Sequence, residues 1–313
     1  MKNLNNAKQV FNEAKQVADY AVQNKNRHNK ISTKEVNGLL KGKTAIANQI
    51  LKKYSNKTIK EAKNVHLIIP NQAIQYKENL IIIKCLNLKI PWNSGRTINK
   101  INQIELHKEK IYINVTVNIP KVQIMKSILG VDLNTTHHSV VMSNIETGKV
   151  YKFDKQSMNI RKQYQEKRRK CQINEDYRTL TDMKHREKHR TKDILHKLTT
   201  KIVKIAETSK SDIAIEDLTN IRKNTRKKSN KTTRRATNSW AFSQFRFMIE
   251  YKCKLRGVTL HVVDPAYTSQ MCSKCIHIGN RNKKEFECKY CRHKDHADVN
   301  AGFCIARRAI TAL

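Results

Sequence analysis

Near its C-terminal end the chain reads CSKCIHIGNRNKKEFECKYC, from Cys272 to Cys291. Two C-x-x-C pairs, Cys272/Cys275 and Cys288/Cys291, are separated by 12 residues. No other feature constrains a local fold as strongly. Two short knuckles joined by a hairpin-length spacer can present four thiolates tetrahedrally to one Zn²⁺. A disulfide framework would instead need an oxidising compartment. The N-terminal stretch MKNLNNAKQVFNEAKQ has no apolar h-region, and no run of 18 apolar residues occurs. The expectation is a protein of the cytoplasm, or beside chromosomal DNA, with reduced thiols, no membrane span and a structural zinc. His277, His293 and His296 are alternative ligands, but four cysteines already close such a site. Cys85, Cys171, Cys253 and Cys304 are scattered and read as small buried hydrophobes.

Charge identifies the class of partner. The 313 residues include 63 Lys and Arg against 26 Asp and Glu, a formal net charge of +37. The surplus runs through the whole chain. A compact body with that charge repels itself unless a polyanion neutralises it. Nucleic acid does this through phosphate contacts and counterion release. The basic stretches 161–170 and 222–235 are candidate backbone contacts, with a solvated charged surface as the alternative. Tyr164, Tyr267, Trp240 and Phe286 are candidates for base stacking or, more simply, for packing.

The hydrophobic pattern divides the chain near residue 122. Residues 8–22 put Val10, Phe11, Ala14, Val17, Ala18 and Ala21 on one helical stripe, and 34–53 form a second helical stretch interrupted near Gly42. Leu80 to Ile83 and Leu86 to Ile90 read as strands. IYINVTV at 111–117 alternates and pairs with 104–106 as a hairpin. Beyond Pro120 the order is three short strands (128–133, 139–143, 150–153), two helices over 156–209 and a strand at 212–218. An amphipathic helix bearing Trp240, Phe242, Phe245, Phe247 and Ile249 ends at Gly257. Then come a strand at 258–263, the cysteine stretch (266–296) and a helix from about Val299. The second of the two helices buries Ile194, Leu198, Ile202 and Ile205. Strands joined by short turns pair antiparallel, and those separated by helices suit parallel crossovers. The expected fold is α/β: a ribonuclease-H-like, mixed five-stranded sheet over 123–313, with a zinc-ribbon insert. A mixed helical and β region precedes it over 1–122.

Three acids occupy positions in apolar elements. Asp132 interrupts ILGVDL, Glu216 ends DIAIE, and Asp298 opens the last helix. A buried acid is costly unless it is paired or binds metal. For any single one, capping an element is the simpler role; three at adjacent strand ends point to Mg²⁺ or Mn²⁺. Two such ions about 3.5–4 Å apart support phosphodiester hydrolysis. Asp217 competes with Glu216, and only one of two neighbours on a strand can face the site. Asp264, before Pro265, reads as a cap and Asp295 as a loop residue.

Several segments carry a resemblance. DPAYTSQMCSKC (264–275), FECKYC (286–291) and DHADVNAG (295–302) resemble the C-terminal signature of the TnpB/OrfB proteins of insertion sequences, long named transposases. GVDLN (130–134) and IAIEDL (213–218) resemble that family's first two nuclease motifs, and WAFSQFRFMIEYKCKLRG (240–257) its intervening helix. The resemblance covers roughly 125–313. It implies a prokaryotic, nucleoid-associated, RNA-guided DNA endonuclease, with a guide RNA and target DNA as partners and a monomer as the favoured state. It implies Asp132, Glu216 and Asp298 as catalytic acids, Cys272, Cys275, Cys288 and Cys291 as zinc ligands, and 1–122 as a wedge and recognition region. A non-cutting nucleic-acid-binding regulator and an accessory transposase are the rival readings. The family usually has Gly after the second and fourth cysteine, where this chain has Ile276 and Arg292. Its opening strand and first helix signature are not recognisable in 1–120.

Overall fold

The computed structural model describes residues 2–27, 33–40, 42–56, 58–107, 109–122, 126–134, 138–153, 156–219, 221, 234, 237 and 241–311. The chain forms two compact units, 1–118 and 119–313. Most of the basic stretch 222–235 and Trp240 lie outside the described residues.

In the first unit, helices α1 (Lys2–Asn26), α2 (Thr33–Leu39) and α3 (Thr44–Tyr54) precede six strands. The break between α2 and α3 coincides with Gly42, at φ +69°, a left-handed conformation that glycine adopts without steric cost. β1 (Leu67–Pro70), β5 (Ile98–Leu106) and β6 (Ile111–Val117) form one antiparallel sheet, and β2 (Gln75–Lys77), β3 (Leu80–Ile83) and β4 (Leu88–Pro91) another. The sequence pattern misses β1 and β2. LIIP is short, wholly apolar and without alternation, so no period marks it. The expected strand from Leu86 starts two residues later, because Asn87 takes a left-handed turn at φ 48°. Val17, Ala18, Ala21, Ile46, Ile50, Ile69, Ile83 and Ile104 meet in this unit's core.

The second unit is built on one five-stranded sheet of order β11-β10-β7-β8-β9. Its strands are β7 (Ser127–Leu133), β8 (Val140–Asn144), β9 (Val150–Phe153), β10 (Ser211–Glu216) and β11 (Leu260–Val263). β7, β8 and β9 pair antiparallel through short turns, while β10 runs parallel to both β7 and β11. The expected mixed sheet is therefore present, with its strand ends within two residues of the sequence pattern. α4 (Gln156–Ile173), α5 (Tyr177–Thr208), α6 (Phe242–Arg256) and α7 (Ala297–Thr311) complete the unit, together with a small sheet of β12 (Asn280–Asn282), β13 (Glu285–Glu287) and β14 (Lys294–His296).

Strand alternation sorts the core into two layers. Leu129, Val131, Ile213 and Ile215 pack with α5 and α6 through Leu198, Ile202, Phe245 and Ile249. Ile128 and Ala214 face the opposite way, onto Ile305, Ala306 and Ala309 of α7. Some expected packing residues shift. The buried stripe of α5 runs through Leu195, Leu198, Ile202, Val203 and Ala206, leaving Ile194 and Ile205 at its margins. On α6 Phe247 is 68% exposed, because it lies off the face that Phe242, Phe245 and Ile249 share. Arg161 is buried and Arg168 pairs with Glu187 across α4 and α5, so neither belongs to a free basic face. Tyr164 and Phe286 are buried while Tyr267 is exposed. Cys253 and Cys304 are buried, their thiols pushed up to about 12 by burial, whereas Cys85 and Cys171 are only half-buried.

α7 lies directly on β7. A Cβ at Gly130 would stand 1.8 Å from the Gly302 carbonyl oxygen and 2.6 Å from the Ala306 nitrogen. A Cβ at Gly302 would stand 2.7 Å from Ser143 Oγ. Both obstacles at Gly130 are backbone atoms, which no rotamer change can move aside. Gly130→Ala should therefore destabilise the folded chain by roughly 3 kcal/mol or more, read as a lowered urea midpoint. Gly38→Ala, with nothing within 4 Å, should leave the midpoint unchanged or slightly raised.

Candidate functional site

The parity that sends Leu129 and Val131 to one face of the sheet sends Gly130 and Asp132 to the other. The β10–β7 register ends at Ile215↔Val131, so Glu216 follows beside Asp132. Both acids thus point to the face that α7 covers. Asp298, in the first turn of α7, is 1% exposed and completes the group. The structure brings all three sequence-selected acids together.

Asp132 shows the electrostatic consequence. Burial pushes its carboxyl up to about 7, reinforced by repulsion from Glu216 and then Asp298; Asn134 and Arg281 act in the opposite direction. Asn134 Nδ2 donates to Asp132 Oδ2 at 2.8 Å. Burial also raises Glu216, opposed by a hydrogen bond that the Thr268 hydroxyl donates to it and by Arg281 and Arg308. Asp298 is held by two cations: Arg281 Nη2 lies 2.9 Å from Oδ1, and Lys284 Nζ contacts Oδ2. A fully buried carboxylate without such partners would be strongly destabilising.

Asp217 is excluded by the same alternation. Its side chain is half-exposed, accepts from Thr219 and lies 2.8 Å from Arg246 Nη1. The Thr219 donors, with Arg246, hold its carboxyl below the usual range. Asp264 accepts from the Ala266 backbone N–H as an Asx-type cap. Asp295 lies in β14, where a loop was expected.

The four cysteines converge as their spacing predicts. Each offers one sulfur, all within 4.8 Å of one another. Cys272–Cys291 and Cys275–Cys288 Sγ distances are 3.6 and 3.4 Å. Two sulfurs on a tetrahedral zinc stand about 3.8 Å apart, so the donor set fits that ion. The two knuckles are alike: Ile276 N donates to Cys272 O and Arg292 N to Cys288 O, each at 3.0 Å. Ile276 and Arg292 have φ of 70° and 60°, the left-handed conformation that explains a glycine preference at both positions. Here each turn carries a side chain, at a cost of roughly 1–2 kcal/mol. Backbone donors, first that of Cys291, lower the Cys288 thiol to about 6, whereas burial raises Cys272 and pushes Cys275 up to about 12. His277 stacks on Tyr290 and His293 contacts Ser273 and Asp295, so neither joins the four-sulfur cluster.

The cysteine module and the acids are joined. Asn300 of α7 donates to Met271 O at 2.7 Å and accepts from Ser273 N at 2.8 Å. Arg308 donates to the Asp264 and Ala266 carbonyls. The spacer between the cysteine pairs delivers Arg281 and Lys284 to Asp298. Sequence reasoning missed these two cations and Thr268, since nothing in a basic spacer marks which residue will fold back. Asn134, read as the start of a turn, lies just past β7, and its place two residues from Asp132 is the signal that could have found it.

The raised Asp132 pKa fixes a pH dependence for the metal-free protein. An aspartate ionises near 3.8 when free and near 7 here, so the neutral form stabilises the fold below pH 4 and that contribution is lost as pH rises to 7. Metal-free Asp132→Asn should match wild type at pH 4 and melt higher at pH 8. The difference has an upper bound of ~4 kcal/mol. Parallel melting curves at pH 4 and pH 8 would contradict the burial of this carboxylate.

Comparison with known proteins follows the same geometry. Residues 242–305 match the family described as Cas12f1-like, TNB domain. The chain is 30% identical over 228 residues to the TnpB-like protein MJ0751 of Methanocaldococcus jannaschii, covering 70% of this chain and 81% of that one. It is 32% identical over 125 residues to the CRISPR-associated endodeoxyribonuclease Cas12f2 of a Micrarchaeota archaeon, 37% of this chain and only 23% of that protein. In fold it is similar to a CRISPR-Cas12f ternary complex solved by cryo-EM, with a TM-score of 0.50 and 15% identity over 96% of this chain and 81% of that one. With the ordered motifs, the converging acids and the cysteine module on one scaffold, the chain belongs to the family of TnpB-like proteins.

Proposed function

We propose that this protein is an RNA-guided DNA endonuclease that hydrolyses DNA phosphodiesters by two-metal-ion catalysis at Asp132, Glu216 and Asp298 of a ribonuclease-H-like, RuvC-type domain. The carrying observation is the convergence of three carboxylates, two of them buried and Glu216 half-buried, in a chain with a net charge of +37. A pure nucleic-acid binder has no use for acids facing a polyanion. The relatives named as endodeoxyribonucleases support the reading.

Mg²⁺ or Mn²⁺ suits the donor set, which is hard oxygen throughout and short of positive charge at Asp132. When bound, such ions lower the pKa of an attacking water and stabilise the leaving oxygen. The chain's own residues prepare the site. Asn134 and the Thr268 hydroxyl each bind one carboxylate oxygen, fixing the orientation of Asp132 and Glu216. Arg281 and Lys284 neutralise Asp298 in the described state. The Gly130–Gly302 contact sets how far the first turn of α7 stands from β7. The four cysteines bind structural zinc, forming a zinc ribbon that holds the Asp298 turn in place. Lys and Arg elsewhere contact the phosphates of guide RNA and target DNA, and residues 1–122 serve as the wedge and recognition region.

Protein copurified with RNA from its native locus should cut a DNA target matched to that RNA in Mg²⁺. Asp132→Ala should abolish cutting while RNA affinity stays within a few-fold. Equal cutting by the variant would remove the triad from the mechanism; absence of cutting by wild type on matched targets would favour the non-cutting regulator. Cys288→Ser should lose one bound zinc and melt lower, and full zinc content in that variant would reject the four-cysteine site.

A further inference from the structure

We propose that the N-terminal unit carries a second transition-metal site, formed by His66, Glu105 and His107, that takes Zn²⁺ or a similar borderline divalent cation. Register builds it. Leu67 pairs with Leu106 and Ile68 with Glu105 across β1 and β5, so His66, just before β1, stands opposite His107, just after β5. Alternation puts Glu105 and His107 on one face of the same strand. One ring nitrogen of each histidine and one carboxylate oxygen lie within 4.8 Å of one another.

The distances suit a shared ion. Glu105 Oε2 is 3.1 Å from His66 Nε2 and 3.7 Å from His107 Nε2. Two ligands about 2.0–2.1 Å from a tetrahedral zinc stand about 3.4 Å apart, between those two values. The imidazoles stack with centroids 4.2 Å apart and planes 11° from parallel, so one ring must turn about its side-chain torsions for both in-plane lone pairs to reach one ion. Gln103 Nε2 donates to the other oxygen, Oε1, at 2.9 Å, and Tyr112 packs edge-on against His107. Such outer contacts orient metal ligands.

Lys53 supplies the independent observation. Its Nζ lies 2.6 Å from His66 Nε2. An ammonium has donors only, so this nitrogen presents its lone pair and cannot also donate to Glu105. The Lys53 ammonium thus already occupies the cation position on a ring nitrogen whose other near neighbour is Glu105 Oε2, at 3.1 Å. A divalent ion binding all three ligands takes the place of the ammonium on His66 Nε2. Imidazole with one carboxylate selects zinc-class metals over Mg²⁺. The side chains of His66, Glu105 and His107 are 12%, 33% and 36% exposed, so an ion can enter from solvent and keep a water as its fourth ligand. Bound there, it would cross-link the start of β1 to the end of β5.

The test is zinc stoichiometry of the full chain, by equilibrium dialysis against Zn²⁺ and elemental analysis. Glu105→Gln keeps the side-chain shape, and His107→Ala removes a ligand. Wild type should bind one more Zn²⁺ than His107→Ala, and Glu105→Gln should hold that equivalent at least tenfold more weakly. Cys288→Ser should retain it. With Co²⁺, the extra site should show weak d–d bands without thiolate charge transfer, and these should vanish in His107→Ala. Unchanged stoichiometry and affinity in both variants, with native circular dichroism, would overturn the proposal.

Discussion

Three carboxylates converge on one face of the second unit's sheet, two of them buried and the third, Glu216, half-buried, and Asp132 is repelled by the other two. Two of them, Asp132 and Glu216, are set side by side by the parallel register of β7 and β10. The third comes from a helix that must lie against the sheet to reach them. Gly130 and Gly302 permit this approach, because neither has a Cβ to hold the backbones apart. The charge is then managed unequally. Asp298 receives two cations, Glu216 a hydroxyl donor, and Asp132 is left with a carboxyl pushed to about 7. Such unequal treatment of adjacent acids marks a functional site more strongly than burial alone.

The cysteine module touches this group directly. Its own core is small, consisting of Cys272, Phe286, Cys288 and Ala297 with Cys275 against them. A core so small contributes little stability of its own. Once folded, it places Arg281 and Lys284 on Asp298 and grips Asn300 through Met271 and Ser273. The four cysteines and the third acid are therefore a single mechanical unit.

The first unit uses the same chemical logic in a sheet. A cross-strand histidine pair with a carboxylate two residues away on the same face needs only register and alternation, and both are supplied by β1 and β5. Nothing in the order of residues marks it, since His66 and Glu105 are 39 positions apart and β1 itself shows no alternation.

What the sequence determined by itself is local and periodic. Cysteine spacing defined the four-sulfur cluster, because knuckle geometry is set within a few residues. The switch between two-residue and helical periods located the strands and helices of the sheet unit, and short turns made β7, β8 and β9 antiparallel. Acids in apolar runs exposed Asp132, Glu216 and Asp298, because burying a charge demands a compensating reason. Only the tertiary structure decided which face each acid occupies and that Asp217 points away. It alone showed which basic residues fold back onto Asp298, and that Phe247 and Arg161 exchange their expected environments. Those outcomes depend on long-range register and on packing between elements far apart in the chain, where hydrophobic period carries no information about the partner.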